Sequence, residues 1–593
     1  MSLVAVVGLT PRPPRPDVAL TELAQAVGAL RAEEVSEIVA GARVAAVRLA
    51  PRAASDAAPV RITPQAGQSW SLSTDRFALT GPADLLTAWQ RHLAVVGYDA
   101  RRDEVIIGTD GLGLMPVYMY RLDDSLLVST SALAIARVAR PGVDVVGLRT
   151  FLATGMRIGP RTMWEGVRRL DPGTLLVIDS SGRQRVRTYW RAQVYPELWS
   201  EPLRQTAERV TDAALQDVSS HLVTSSSIVS DLTGGYDSRL VCLLLAETGA
   251  RFATTTRSVR DPADVETARR IAGIKGWPWV HTPLPAGWAA MLPERLDQAL
   301  GAGDGALDVL QLARVLEPRA QLSREFHGVI SGGGGEHLQY AGWKSEFGTA
   351  GDTGLPHIPR WIRMRLLTKG MAGVFQSDVE DVVDYLSEVL NEWTEPWRSM
   401  PRAVQLDAVY AYVKGTAHFG AYRSADATLL EAHLPLYGRS TYEAAFTTNF
   451  RWRNGHRLMR EMMVRLDPAV AAVPTTRGGP AVPMNLRNAH LFSPYFVQLA
   501  GKGVTKVSSE LRRGRQPQRD VGPFHWLIDA NARLAPTMVE AAQARSSRLF
   551  DDGAVDRASA LEVLRPGASD AYGRAVVMGR LLTADLALKV ADA

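Results

Sequence analysis

Cysteine is nearly absent: Cys242 is the only one in 593 residues. A disulfide framework and a thiolate metal cluster are excluded together, and one thiol at most remains for chemistry. Asparagine is missing from the chain before Asn391. No run approaches the ~18 consecutive apolar residues of a membrane span. The N-terminus lacks a charged n-region, and its apolar run from Leu3 to Leu9 is short. Neither a signal peptide nor a membrane anchor is expected, and the protein reads as cytoplasmic. An excess of one charge sign is lacking too, since 67 Lys and Arg against 62 Asp and Glu leave a net +5. That balance does not mark a nucleic-acid binder. The local exception is Lys502, Lys506, Arg512, Arg513, Arg515 and Arg519 against Glu510. This stretch reads as a solvated loop, with a landing site for an acidic peptide as the sharper alternative.

What remains is ordinary globular composition, 46% hydrophobic and 22% charged. At ~100–200 residues per domain, the length asks for two or three domains. The first ~190 residues read as β-rich. Short apolar runs at 105–108, 117–120, 126–129 and 175–178 are separated by Gly and Asp turns, as in a meander. The pattern changes near Pro202. Leu203, Ala207, Val210, Ala214 and Val218 recur at helical spacing. A buried strand over 227–232, a glycine pair and a helix over 240–247 then open a βαβ unit. Beyond ~360 the chain reads as mostly helical.

Two glycine segments carry the chemistry. In Thr233-Gly234-Gly235-Tyr236-Asp237-Ser238 the glycines let backbone approach phosphate oxygens, and the helix behind aims free N–H groups at the same anion. Thr233 and Ser238 add hydroxyls. Asp237 repels phosphate, so its carboxylate makes sense as a Mg²⁺ ligand. An ordinary strand-to-helix turn would also favour these residue types. Ser331-Gly332-Gly333-Gly334-Gly335-Glu336 follows a second apolar run. Four glycines are costly to order, which suits a backbone wrapped round an anion, and Glu336 offers a second hard carboxylate. A flexible surface loop is the alternative.

In this order the two segments resemble the synthetase domain of the class B asparagine synthetase superfamily. The family's first loop reads Ser-Gly-Gly-x-Asp-Ser and its second Ser-Gly-x-Gly-x-Asp. A third pattern, Glu-x-Arg-x-Pro-Phe-Leu-Asp, stands degraded as Glu431-Ala432-His433-Leu434-Pro435-Leu436-Tyr437-Gly438. Arg477-Gly478-Gly479 occupies the place of a Lys before a Gly. Upstream, Asp110-Gly111-Leu112-Gly113-Leu114-Met115-Pro116-Val117-Tyr118 is similar to Arg-Asp-x-x-Gly-x-x-Pro-Leu-Tyr. The matches run to about residue 480.

The resemblance implies an α/β fold. A glutaminase-like αββα domain over 1–195 should precede, over 200–593, an ATP-binding synthetase domain with a parallel sheet. It implies adenylation of a carboxylate by Mg-ATP, with release of pyrophosphate, and attack by an amine. By family position, Leu232, Thr233, Gly234, Gly235, Tyr236, Asp237, Ser238, Thr256, Ser331, Gly332, Gly333 and Gly334 surround ATP, with Leu232 and Thr255–Thr256 beside adenine. Asp237 and Glu336 hold Mg²⁺. Arg477 replaces the Lys that stabilises developing charge, with a surface arginine as the alternative. Glu431 is the candidate base, with a structural carboxylate paired to His433 or Arg439 as the alternative. His418 and Tyr422 could line the acceptor pocket or lie half-buried in the core.

The chain also departs from the family. Glutamine-dependent members use Cys at position 2, and here it is Ser2. Cys242 reads as a small core residue. Their Asn-Gly oxyanion donor cannot exist without an asparagine. The first domain is therefore expected to have lost glutaminase activity, and the amine to belong to the substrate. Two family types do this: β-lactam synthetases, and lasso peptide cyclases, which close a macrolactam. The β-lactam type has Tyr and the asparagine synthetases have Glu where this chain has Gly333. A glycine there is expected to open space for a bulky peptide. The resemblance is strongest to lasso cyclases: an Asp or Glu side chain of a core peptide would be adenylated and attacked by the peptide's N-terminal amine. A leader-recognition protein and a leader peptidase are the implied partners, with no nucleic acid or membrane. A small-molecule amide synthetase or an ammonia-dependent asparagine synthetase would share every nucleotide residue.

Overall fold

The structure, a computed structural model, describes residues 1–9, 16–40, 43–51, 60–62, 68, 70–74, 92–222, 227–257, 262–339, 351–368, 374–375, 379–497, 525–543, 547–551, 554–564 and 571–592. The basic stretch between Lys502 and Arg519 lies outside them.

Two antiparallel sheets form the first half. The first runs β10-β8-β9-β1-β3-β2-β4, with β1 Ser2–Gly8, β2 Glu33–Ala40, β3 Val44–Pro51, β4 Val60–Ile62, β8 Tyr118–Leu122, β9 Ser125–Ser129 and β10 Arg168–Arg169; only the β2–β4 pairing is parallel. The second runs β12-β11-β7-β6-β5, with β5 Trp70–Ser73, β6 Ala94–Asp99, β7 Glu104–Thr109, β11 Thr174–Ile178 and β12 Gln184–Thr188. The expected meander is thus split: β7 belongs to one sheet and β8–β9 to the other, with the Asp110 segment crossing between them.

Strand alternation explains the layers. Leu3, Ala5 and Val7 of β1 face Ala94, Val96, Val105 and Ile107 of the second sheet. Val4 and Val6 face outward onto Leu20, Leu23 and Val27 of helix Pro16–Arg31. The outer face of the second sheet packs Val95, Leu112 and Trp190 against Trp397, Val404, Ala408 and Tyr412 from the second half. The halves also share the largest core, in which Leu148 and Phe151 join Leu300, Leu386 and Leu581. The apolar interior therefore runs across the 195/200 boundary.

The third sheet is five-stranded and wholly parallel, in the order β15-β14-β13-β16-β17. Its strands are β13 Ile228–Asp231, β14 Ala253–Thr256, β15 Trp279–His281, β16 Gly328–Ile330 and β17 Glu431–His433. The helix after β13 spans Asp237–Glu247 and is apolar on nearly every side, burying Leu240 through Leu245. It starts three residues before the expected 240 because the glycine turn itself winds into it. Cys242 lies in this helix, and burial pushes its thiol up to about 12, so it is inert core. No helix among the described residues is long and apolar enough to cross a membrane.

Candidate functional site

After β13 the chain moves to β14 and β15 on one side and returns to β16 and β17 on the other. This reversal opens a crevice at the C-terminal ends of β13 and β16, where open parallel sheets bind ligands. The segment 233–238 leaves β13 and the segment 331–336 leaves β16, so neighbouring strands bring the two glycine motifs together. The approach is close enough to require glycine. A Cβ on Gly332 would stand 2.4 Å from Cα of Ser238, and one on Gly335 would stand 2.4 Å from Cγ of Asp237. Gly334 has the left-handed φ of +95°, and a Cβ there would strike Tyr437.

Hydrogen bonds to nearby side chains fix the shape of the first loop. The Thr233 N–H donates to Oγ of Ser238 at 3.0 Å, and the two hydroxyls lie 2.9 Å apart. The Gly235 N–H donates to Oγ1 of Thr233 at 3.2 Å. The Gly234 N–H donates to Oδ1 of Asp264 at 2.6 Å, so a carboxylate oxygen already sits on an anion-binding donor.

Two carboxylates meet at the rim. Burial, then the charge of Glu336, pushes Asp237 up to about 7; Arg477 and a hydrogen bond from Gln339 oppose the rise. Gln339 Nε2 donates to Asp237 Oδ1 at 2.5 Å. Burial also raises Glu336, against the nearby Lys414 and Arg477. Glu336 Oε2 is buried with no hydrogen-bond partner among the described residues. Two like charges in a desolvated corner, one with an orphaned oxygen, fit a hard divalent cation. No cluster of three or more His, Cys, Asp or Glu suited to a metal occurs among the described residues. Two carboxylates, with phosphates and water completing the shell, is the donor set Mg²⁺ takes.

Arg477 reaches this corner on a segment tied to the first loop. The Thr476 N–H donates to the Gly234 carbonyl at 3.2 Å. Arg239, wholly buried, donates to the carbonyls of Val473 at 2.7 Å and Gly234 at 3.3 Å, clamping the two loops. Arg477 itself is exposed and lies 3.4 Å from Nε2 of His456, whose ring stacks on Tyr236 at 4.4 Å.

A cavity of about 610 Å³ opens below, walled by Thr233, Gly235, Tyr236, Asp237, Ser238, Ser331, Gly332, Gly333 and Arg477. His418 and Tyr422 join that wall. Other expected residues are not on it. Leu232 is core, and the Thr256 hydroxyl donates to the Leu232 carbonyl at 2.9 Å; Thr255 lines the cavity instead. Glu431 pairs with Gly328 at the start of β17, and Ala432 and His433 reach the wall ahead of it. Gly333 does not open free space: a Cβ there would lie 3.1 Å from the ring of Phe419, which fills it.

Sequence reasoning missed the floor of the cavity. Arg319, buried, makes two parallel hydrogen bonds to Asp231 at 2.9 and 2.8 Å and a third to Asp426 at 3.0 Å. Burial alone would raise Asp231, but Arg257 and Arg319 outweigh it and hold the carboxyl down at about 2. It also missed Gln339, Asp264 and Lys414, which stand outside any motif.

Among the described residues, the amino-terminal half is closed around Ser2. Ser2 is fully buried, and its Oγ accepts from Arg31 at 3.0 Å. The space beside Arg31 is about 20 Å³, room for a water. Asp110 accepts from the N–H groups of Leu112, Leu114 and Met115 at 3.2, 3.0 and 2.8 Å, which shapes its glycine turn.

Residues 75–190 match the glutamine amidotransferase domain family. Among curated proteins, the chain is 29% identical over 173 residues to the amidase chyE of Penicillium rubens, covering 28% of this chain and 25% of that protein. It is 23% identical over 181 residues to the glutamine-hydrolysing asparagine synthetase 1 of Bacillus subtilis, covering 30% and 28%. The chain thus spans about a quarter of the length of the curated relatives it matches. A solved glutamine phosphoribosylpyrophosphate amidotransferase from B. subtilis, complexed with ADP and GMP, overlaps at 12% identity and a TM-score of 0.20, too slight a likeness to argue from.

Proposed function

We propose that this protein is an ATP-dependent amide ligase that releases AMP and pyrophosphate. The observation that carries the reading is the meeting of two glycine loops at the switch point of a parallel sheet, with Asp237 and Glu336 sharing one desolvated corner. The similarity to an asparagine synthetase supports it from the side of sequence.

In this reading the backbone and hydroxyls of Thr233, Gly235 and Ser238 bind the pyrophosphate portion of ATP, and Ser331 and Gly332 close from the other side. Asp237 and Glu336 would hold Mg²⁺, which supplies charge neutralisation on the triphosphate. A substrate carboxylate attacks the α-phosphorus and pyrophosphate leaves. An amine then attacks the acyl carbon; AMP leaves with the bonding pair and the nitrogen loses a proton. Arg477, which lines the cavity, would offset the charge that develops. Ser2, buried under Arg31, and an asparagine-free first half favour an amine carried by the substrate over one freed from glutamine.

The substrate we favour is a core peptide whose Asp or Glu side chain is adenylated and whose N-terminal amine closes an isopeptide macrolactam, as in lasso peptide cyclases. A leader-recognition protein and a leader peptidase would then be its partners. A small-molecule amide synthetase is the second reading. It is favoured by Phe419, which occupies the space beside Gly333 that a bulky substrate would need.

The deciding experiment incubates the protein with Mg-ATP and a leaderless precursor peptide encoded beside its gene, and follows peptide mass. Loss of one water with AMP and pyrophosphate formed, abolished by Asp237→Ala, is the expected result. An unchanged peptide, with AMP formed only on small amino acids and an added amine, sinks the cyclase reading in favour of the second.

A further inference from the structure

Gly333 differs from its neighbours in the second loop: it lacks the left-handed φ of Gly334, and a Cβ on it would meet nothing closer than 3.1 Å, where one on Gly332 or Gly335 would clash at 2.4 Å. What stands in place of a side chain is Phe419. A Cβ on Gly333 would lie 3.1 Å from both Cδ1 and Cε1 of that ring and 3.3 Å from Cδ2 of Leu434.

Phe419 is presented by a π turn, Gly415–Phe419, closed by the Gly420 N–H on the Gly415 carbonyl. A π turn inserts an extra residue into a helix, re-aims the side chains around it and recurs at functional sites. Here it brings His418 and Phe419 to the cavity wall next to Tyr422. The three rings brace one another: His418 meets Phe419 edge-on at 5.1 Å and Tyr422 at 4.9 Å, and Phe419 lies 5.3 Å from Tyr437. The first half holds the turn from outside. A Cβ on Gly420 would lie 2.6 Å from the Leu114 carbonyl oxygen. Arg169 donates to the carbonyls of Gly113 at 2.5 Å and Thr416 at 3.5 Å. The Asp110 turn therefore buttresses the wall that carries Phe419.

We propose that Phe419, seated in the volume of the missing side chain at 333, determines acceptor specificity and admits a primary amine of small cross-section in the cavity beside itself and His418. The inference rests on the ligase reading but on neither of its two substrates. The step it governs is attack of the amine on the acyl-adenylate: the C–N bond forms, the C–O bond to AMP breaks, and one proton is released. Burial, with Lys414 nearby, pushes His418 down to about 3, so the amine meets a neutral hydrogen-bond acceptor and not a like charge.

The test uses the full chain with Mg-ATP. Either an N-acetylated candidate peptide or aspartate serves as carboxylate donor, and hydroxylamine, methylamine and benzylamine are the external acceptors. Amide products and AMP are read by mass spectrometry, and each variant is checked by melting temperature and Mg-ATP binding. The wild type is expected to disfavour benzylamine by roughly 10–200-fold, the range that pocket size supplies. In Phe419→Ala the ratio of benzylamide to hydroxamate should rise about tenfold or more, with the acceptor KM moving further than the ATP KM. Gly333→Tyr should abolish amine transfer, and adding Phe419→Ala should restore it, because the two side chains compete for one volume. An unmoved product ratio in Phe419→Ala, or a folded double variant as inactive as Gly333→Tyr, overturns the proposal. No hydroxamate from the wild type with either donor overturns the ligase reading, and the subsite with it.

Discussion

Gly332 and Ser238 lie so close that a Cβ on the glycine would stand 2.4 Å from the serine Cα. This contact joins the two motifs, and it is backbone against backbone, so no side chain can swing aside. Gly332→Ala must push the loops apart and widen the gap that would hold phosphate. Affinity for a non-hydrolysable Mg-ATP analogue should fall by about 100-fold, with stability lost by about 1–3 kcal/mol as in other overpacked sites. Gly273→Ala is the control: its Cβ meets nothing within 4 Å and its φ is not left-handed. It should leave binding alone and stabilise by about 0.4–1 kcal/mol through the unfolded chain. Calorimetric binding and thermal melts on both variants decide the matter.

These glycines show why this part of the site was legible in the sequence. Residues 233–238 and 331–336 are contiguous, and each follows an apolar run, so strand, turn and chemistry read off together. The floor was not legible. Asp231, Arg319 and Asp426 are separated by 88 and 107 residues and meet only through strand order. Edge strand Glu431–His433 is three residues long, too short for periodicity to reveal. Phe419 could not be linked to Gly333 because the π turn that delivers it has no sequence signature of its own. The split of the meander between two sheets was hidden for a related reason: alternation marks a strand's faces but not its partners.

Asp237 and Glu336 should trade stability for function. Burial and the charge of Glu336 push Asp237 up to about 7 from its ordinary 3.8. A carboxyl raised on folding favours the folded state at low pH and costs stability as pH climbs from its ordinary value through its folded one. Mg²⁺ favours the charged form and should reverse that cost. Asp237→Asn is therefore expected to raise the melting temperature of the metal-free protein at pH 8, while abolishing Mg-dependent ATP turnover. Glu336→Gln should do the same. Melting curves from pH 5 to pH 8, with and without Mg²⁺, check the sign; a lower metal-free melting temperature in both variants argues against a strained carboxylate pair.

Glu431 and His418 can be separated by rate. His418 lines the cavity, whereas Glu431 sits one strand-length back, paired with Gly328. Under the ligase reading, Glu431→Gln should slow amide formation by less than about tenfold, below the 10²–10⁴-fold expected of a lost general base. His418→Ala should raise the acceptor KM more than it changes ATP affinity. A loss beyond about 100-fold in Glu431→Gln, in a variant that still melts like the wild type, restores Glu431 as the base.

The Arg319–Asp231 pair sets the acid limit of the fold. Burial works against the charged carboxyl, but Arg257 and Arg319 hold Asp231 at about 2, below its ordinary 3.8. A group depressed on folding contributes stability that is full above its unfolded value and lost as pH falls through the folded one. Asp231 should therefore stabilise the protein above about pH 4 and release that contribution between pH 4 and 2. Asp231→Asn should cost about 3–5 kcal/mol at pH 7, because it leaves Arg319 buried with its two-pronged partner gone. The difference between variant and wild type should then shrink steadily as pH drops through that window, since protonation removes the same charge from the wild type. Urea melts at pH 7, 4 and 3 measure it. A gap that stays constant across the three would mean that Asp231 holds β13 to its neighbours through shape and neutral hydrogen bonds, and that the arginines draw little from its charge.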